Sequence, residues 1–214
     1  MMETSGYIEE LRIVGGHVAL DYVNTVDGDL EGESRFENLR DYGDLIAWSG
    51  RVGLLDPEDA ERLAREADRE PEGAEAAHRW ALELRDVLYS VFRTLAEGEV
   101  PPSRSLRSLG GYERDAISRG VLTAGDSGLQ WEWKEEWDPA RPLWPVVHAA
   151  TELLTSGDLG RLKLCAGCHW LFLDASRNHS RRWCTMEVCG THEKARRYVA
   201  KRASRRDSQL RGDA

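Results

Sequence analysis

Four cysteines confined to the last quarter of this 214-residue chain constrain its fold more than any other sequence feature. They follow the spacing C-x2-C-x15-C-x4-C, and no cysteine occurs among the first 164 residues. A Cys-x-x-Cys pair followed at this distance by a second pair is typical of a tetrahedral zinc site. The pattern predicts one structural Zn²⁺ ion with four ligands, Cys165, Cys168, Cys184 and Cys189.

Other roles for these cysteines are open at this stage. Four cysteines could form two disulfides in an oxidising compartment, and a Cys-x-x-Cys pair could serve redox chemistry or hold another metal. The N-terminus lacks the basic start and apolar run of a secretory signal, and no apolar run reaches the roughly 18 residues of a membrane span. We therefore expect a soluble cytoplasmic protein with reduced thiols. Three nearby histidines could each replace one cysteine as a ligand: His169, His179 and His192.

Charge divides the chain into an acidic body and a basic end. Residues 1–160 carry 33 Asp and Glu against 16 Lys and Arg, a net charge of −17. Residues 161–214 carry 5 acidic against 13 basic residues, a net charge of +8. The basic end would attract a polyanion that the body repels, so nucleic acid is the favoured partner. A solvated basic helix that contacts the acidic body would show the same pattern.

Hydrophobic spacing predicts a mainly helical domain over residues 1–160. Asp56-Pro57 is a strong start for a helix that runs to about residue 69, and apolar positions three and four apart predict a long helix over 71–96. Two β-prone runs around a turn predict a hairpin over 121–133. Its alternating apolar side chains should lie on one face of the hairpin, and that face should be covered: Leu129, Trp131 and Trp133. Three further helices are predicted at 38–48, 103–119 and 143–155, and a short strand is predicted at 11–14.

The cysteine segment, residues 161–206, predicts a treble-clef-like zinc finger. Residues 169–174 alternate like a strand, the next six have turn chemistry, and 181–183 return toward the metal as the far side of a hairpin. A basic helix capped by Thr191 should follow over 192–206, and residues 207–214 should be a disordered tail. An apolar stripe on this helix should pack on the zinc hairpin: Ala195, Val199 and Ala203.

The predicted fold class is therefore α+β. It combines a mainly helical N-terminal domain that contains a β-hairpin with a four-cysteine finger that ends in a basic helix. Basic side chains on the finger and its helix are the candidate nucleic-acid contacts: Arg177, Arg181, Arg182, Lys194, Arg197, Lys201 and Arg205. If they face phosphates, binding should fall steeply with salt, because each contact releases counterions.

Motifs around the cysteines resemble the CGNR zinc-finger family: Leu164-Cys-Ala-Gly-Cys168, Trp170-Leu-Phe-Leu-Asp174, Ser176-Arg-Asn178, Arg181-Arg-Trp-Cys184, Met186 and Cys189-Gly190. Leu20-Asp-Tyr-Val-Asn-Thr-Val26 is similar to the opening motif of the ABATE domain, the usual N-terminal partner in that family. The resemblance implies a bacterial, stress-induced transcription regulator that binds DNA. Where the family has Asn-Arg after Cys-Gly, this chain has Thr191-His192, so one arginine that could touch phosphate is missing. A protonated His192 could partly replace it.

Polar residues within the apolar N-terminal run are candidates for a small-molecule effector pocket: His17, Asp21 and Asn24. They could equally cap helices and satisfy buried backbone groups. The favoured function is a DNA-binding transcription regulator, with a body that senses an effector or dimerises. One alternative is a protein-interaction module that binds no nucleic acid. Another is a metal-dependent nuclease that uses Asp174, Asn178 and His179, although the sequence predicts no catalytic set.

Overall fold

The computed structural model describes residues 6–28, 35–125, 128–133 and 138–212, with the backbone alone for 203–212 and for a few residues beside the gaps. These ranges contain eight helices and six strands: α1 (Gly6–Glu10), α2 (Val18–Val23), β1 (Val26–Gly28), β2 (Arg35–Glu37), α3 (Tyr42–Arg51), α4 (Pro57–Arg69), α5 (Pro71–Ala96), α6 (Ser103–Arg119), β3 (Gly120–Gly125), β4 (Gly128–Trp133), α7 (Trp144–Ser156), β5 (Leu162–Leu164), β6 (Leu171–Leu173) and α8 (Thr191–Gly212). Each strand pairs with its sequence neighbour in an antiparallel two-stranded sheet. No helix within the described ranges has the length and apolarity needed to cross a bilayer.

The long helices begin and end at the residues that local chemistry predicts. The Asp56 carboxylate accepts a 2.8 Å hydrogen bond from the Asp59 N–H, and Pro57 occupies the first position of α4. Helix α5 spans the predicted 71–96, and Gly98 follows it with a φ of +80°, a conformation that favours glycine. Local chemistry therefore sets the start of α4 and the end of α5.

Helix α5 forms the centre of the body and packs against α2, α3, α4, α6 and β5. Its Leu84, Leu88 and Phe92 are fully buried, as are the large rings of Trp48 and Trp144. Burying such side chains contributes roughly 1.5–3 kcal/mol each, so this interface supplies much of the body's stability.

Three predictions about the body need correction. Helix α3 begins after Asp41, whose carboxylate accepts a 2.9 Å hydrogen bond from the Asp44 N–H, and not at Asn38. Residues 11–14 form no strand. The β3–β4 hairpin forms as predicted, but its apolar side is only partly covered, because Leu129 at the tip is 73% exposed. Trp131 and Trp133 stack on each other and contact the ring of His148 edge-on.

The C-terminal segment has the predicted fold class, with a different strand pairing. Strands β5 and β6 pair Leu162 with Leu173 and Leu164 with Leu171, so the first cysteine pair lies in the turn of this hairpin. The predicted return strand at 181–183 does not form. A π-helical turn over Met186–Gly190 leads into α8, which extends to Gly212 and so beyond the predicted end at residue 206. Two residues of the predicted disordered tail, 213–214, lie outside the described ranges.

Candidate metal centre and its contacts with the body

The four cysteines meet at one buried point. Their Sγ atoms all lie within 4.8 Å of one another, and Cys184 Sγ is 3.5 Å from Cys168 Sγ and 3.6 Å from Cys189 Sγ. A tetrahedral Zn²⁺ with Zn–S distances of about 2.3 Å places its sulfurs about 3.8 Å apart, close to this arrangement. A disulfide needs about 2.05 Å, and all four thiols are free. The geometry therefore fits one metal ion and no disulfide.

Backbone geometry around the first cysteine pair aims both sulfurs at the same point. The N–H groups of Gly167 and Cys184 donate to Cys165 Sγ at 3.5 and 3.3 Å, and the Cys165 N–H donates to the Trp170 carbonyl at 2.8 Å. His169 has a φ of +62°, which turns the chain back into β6 directly after Cys168. Donors aimed at a sulfur stabilise its thiolate form.

Hydrogen bonds among the thiols shift their pKa values in opposite directions. Hydrogen bonds from Cys168 and Cys184 lower the pKa of the Cys165 thiol. The hydrogen bond to Cys165 raises the pKa of Cys168, and it raises the pKa of Cys184 to about 12. Negative charges on neighbouring sulfurs repel one another at these distances. Four thiolates at these distances therefore require a bound metal ion.

The Asn24 side chain connects the body to hairpin β5–β6, which holds the first cysteine pair in its turn and is called the metal hairpin below. Its Nδ2 group donates to the Leu171 carbonyl at 2.8 Å, and its Oδ1 atom accepts from the Leu171 N–H at 2.9 Å. Asn24 is 1% exposed and Leu171 is fully buried. The amide thus pairs with β6 as a neighbouring strand would, across 147 residues of sequence.

Two further hydrogen bonds extend this contact. The Leu173 N–H donates to the Gly15 carbonyl at 2.8 Å, and the Trp170 indole N–H donates to the Val26 carbonyl at 2.9 Å. The Arg12 guanidinium lies 4.5 Å from the centroid of the Trp170 ring, which adds a cation–π contact. The metal hairpin and the body therefore share one hydrophobic core.

The predicted pocket residues occupy this same junction. Asp21 Oδ1 accepts a 2.7 Å hydrogen bond from the Gly15 N–H, and burial raises the pKa of Asp21. His17 caps α2 by accepting from the Ala19 N–H at 3.3 Å, and burial lowers its pKa. Together with Asn24, these side chains bond to backbone groups of the chain. Their role as an effector pocket stays a prediction, and sequence analysis missed the involvement of Arg12 and Trp170 altogether.

Family comparison agrees with this architecture. The sequence model of the ABATE family, described as "Putative stress-induced transcription regulator", matches residues 16–157, more than half of the chain. The chain belongs to the ABATE family. The model of the CGNR zinc finger matches residues 161–202, which include all four cysteines. No curated protein matches the chain. The resemblance inferred from the cysteine motifs and from Leu20–Val26 is confirmed, and the clustered cysteines of the CGNR finger form the site of one structural Zn²⁺.

The finger's basic residues occupy two different environments. Arg177 and Arg182 are exposed, and every residue from 194 to 202 is exposed. Arg181 instead stacks 4.5 Å from the centroid of the Phe172 ring and donates to the Trp183 and Cys184 carbonyls. Its guanidinium therefore supports the fold of the finger. The side chain of Arg205 lies outside the described atoms.

The predicted packing of α8 on the zinc hairpin is wrong. Ala195 is exposed, Val199 is 65% exposed, and the side chain of Ala203 is not described. Spacing of four residues indicated a packed stripe, but alanine and valine side chains are short, and both described members of the stripe lie on the exposed surface of α8. The Thr191 hydroxyl donates to the Met186 carbonyl at 3.0 Å, while Thr185 caps the π-helical turn.

The other candidate ligands near the zinc site have structural roles or lie on the surface. Asp174 is buried, and its carboxylate oxygens accept 2.9 Å hydrogen bonds from the Ser176 and Arg181 N–H groups. The hydrogen bond with Ser176 lowers the pKa of Asp174. Asn178, His179 and His192 are exposed. Among the described residues, the four cysteines are the one cluster of three or more metal-ligating side chains.

Proposed function

We propose that this ABATE–CGNR chain is a transcription regulator that binds duplex DNA through its zinc finger and α8. One observation carries the proposal: residues 194–202 form a continuously exposed, positively charged helical segment directly after the zinc site. Exposed Lys and Arg on a rigid base are suited to contact phosphates, and the body's net charge of −17 would keep the duplex on the finger's side.

Six basic residues are the proposed phosphate contacts: Arg177, Arg182, Lys194, Arg197, Lys201 and Arg205. Arg181 is the seventh predicted contact, and its internal hydrogen bonds make it a positioning residue in this proposal. Arg197 pairs with Glu193 at 2.9 Å, but both side chains are partly exposed, so the pair is weak and phosphate can replace the carboxylate. Six contacts would lower affinity about 10³-fold between about 50 and 200 mM salt.

The test is a fluorescence anisotropy titration of the full chain with labelled genomic and random duplexes at two salt concentrations. The proposal requires binding that falls with salt, without cleavage of the duplex. Absence of binding at the lower salt would overturn it and favour the protein-interaction module. Cleavage that depends on Mg²⁺ would favour the nuclease.

A matched pair of double variants identifies the surface that binds. Lys194→Ala with Arg197→Ala should weaken binding to every duplex and make the salt slope shallower by about 2. Arg65→Ala with Arg69→Ala removes the same charge from α4, where each arginine also pairs with a glutamate in the preceding turn. This control should leave both quantities unchanged. Equal losses from both pairs would show that net charge, and not the finger, controls binding.

We also propose that a small-molecule effector binds in the body. A cavity of about 300 Å³ lies between β4, the loop after α3 and the start of α7. Its lining combines apolar and aromatic side chains with two charged residues, namely Leu54, Leu55, Trp131, Glu132, Trp133, Arg141 and Pro145. Unlike the junction around Asn24, whose polar groups bond to backbone, this cavity has open space for a ligand. An effector should alter tryptophan fluorescence in the wild type and lose affinity in Trp133→Leu.

Dimerisation is the other role proposed for the body. Sedimentation equilibrium of the zinc-loaded chain measures it directly. The exposed Leu129 marks the hairpin tip as the place to introduce a charge, and Leu129→Glu should dissociate a dimer formed through that surface.

A further inference from the structure

Helix α8 carries two large exposed side chains that a merely soluble basic helix would not need. Tyr198 is 66% exposed and Val199 is 65% exposed. Both lie within the exposed segment 194–202, so the body and the zinc hairpin do not cover them. Tyrosine combines an apolar ring with a hydroxyl that needs a hydrogen-bond partner, and it is enriched at binding interfaces for that reason.

The helix has two chemically different faces. On one face Glu193 pairs with Arg196 at 3.2 Å and with Arg197 at 2.9 Å, so charge there is partly neutralised. Tyr198 lies well round the helix from Glu193, and residues three and four positions away surround it. These neighbours are Lys194, Ala195, Lys201 and Arg202. Three of the four are basic, and the fourth is small enough to allow close approach.

The dimensions of α8 match those of a DNA groove. An α-helix with its side chains is about 10–12 Å across, and the major groove of B-DNA is about 12 Å wide. At about 1.5 Å per residue, the 22 residues of α8 are about 33 Å long, enough to cross the groove from one phosphate backbone to the other.

We infer that α8 lies in the major groove of duplex DNA with Tyr198 against the base edges, and that Tyr198 is a specificity-determining residue. The inference rests on the DNA binding proposed above. Lys194 and Arg202, one turn to either side of Tyr198, contact the flanking phosphates. The ring and hydroxyl of Tyr198 contact thymine methyl groups and base-edge acceptors, which differ between base pairs in the major groove.

The experiment compares a duplex that wild-type protein enriches from a genomic library with a shuffled duplex of the same composition. Tyr198→Ala should reduce the ratio of the two affinities about tenfold, the scale of one lost base contact, and leave the salt slope unchanged. Lys194→Ala should weaken both duplexes equally and reduce the slope by about 1. Val100→Ala removes an exposed apolar side chain from the loop between α5 and α6 and should change neither quantity.

A groove-specific probe makes the test independent of the variants. Replacement of thymine by deoxyuridine in the enriched duplex removes the C5-methyl group, which lies in the major groove alone, and should weaken wild-type binding. An affinity ratio that Tyr198→Ala leaves unchanged overturns the inference, as does wild-type binding that the thymine replacement leaves unchanged or that shows no sequence preference. In those cases the proposed DNA binding still stands. If wild type binds no duplex, the proposed function fails as well.

Discussion

The two structural elements that meet at the zinc site differ sharply in their contacts. Hairpin β5–β6 lies against the body, with Leu171 and Phe172 fully buried and Asn24 bonded to its backbone. Helix α8 leaves the same site with residues 194–202 all exposed. One metal ion thus joins a hairpin that is packed on the core to a helix whose residues 194–202 are exposed to solvent.

The finger is therefore not an independent module. A segment of about fifty residues is too small to build a sufficient core by itself, so zinc and the body both stabilise the hairpin. Helix α8 is polar nearly all round and depends on the zinc site for its position. Substitutions in the hairpin should therefore change stability, whereas substitutions in α8 should change binding.

Loss of zinc should have the largest effect, because structural zinc contributes about 10–16 kcal/mol of apparent binding free energy in finger peptides. Cys184→Ser should abolish stoichiometric zinc and expose the finger to protease, while α2 to α7 stay helical at a lower melting temperature. Native mass spectrometry, limited proteolysis and circular dichroism measure these effects. Ser180→Ala is the control in the same finger. A Cys184→Ser finger that stays protected would contradict the proposed dependence on zinc.

Leu171→Ala should have the next largest effect. It removes a fully buried side chain of β6 and should lower the free energy of unfolding by about 2–5 kcal/mol. Chemical denaturation of the zinc-loaded protein measures the change. A loss of unfolding free energy no larger than the error of this measurement would mean that the hairpin does not share the body's core.

Asn24→Ala should lower the free energy of unfolding by about 2–3 kcal/mol, because the buried N–H and carbonyl of Leu171 lose their partners. Asn178→Ala removes an exposed asparagine from the finger and should have an effect within about 0.5 kcal/mol. Hydrogen exchange of the Leu171 amide distinguishes the two variants. Equal exchange rates would mean that the Asn24 side chain does not hold β6.

Val199→Ala should have the smallest effect on stability, within about 0.5 kcal/mol, since its side chain is 65% exposed. The same denaturation experiment as for Leu171→Ala provides the comparison. A loss of about 1 kcal/mol or more would show that α8 packs on a surface of the chain after all.

Sequence reasoning succeeded where the signal is local. Asp56 and Pro57 define the start of α4, and the three-and-four spacing over 71–96 defines α5, because caps and amphipathic periods act within a few residues. The zinc ligands were predictable for a related reason. Metal geometry requires thiolates at short, fixed spacings, and such spacings are visible in a single sequence.

The remaining errors concern contacts between distant residues. Nothing near Asn24 in the sequence indicates that its partner is Leu171, and nothing near β6 indicates that β5 precedes the cysteine pair. The helix stripe at Ala195 and Val199 has the spacing of a packed face, but packing also requires a facing surface, which spacing cannot supply. Asn38 and Asp41 are both good caps, and tertiary context selects Asp41.

The pairing of Asn24 with Leu171 also has a consequence for synthesis on the ribosome. Translation at about 5–20 residues per second places roughly 7–30 s between the two partners. During that interval the nascent body exposes the Asn24 amide, the Gly15 loop bonded to Asp21 and an apolar edge. Only the last part of the polypeptide can cover them. Newly made chains truncated before residue 171 should therefore be recognised by chaperones or proteases, and metal uptake would complete maturation of the whole molecule.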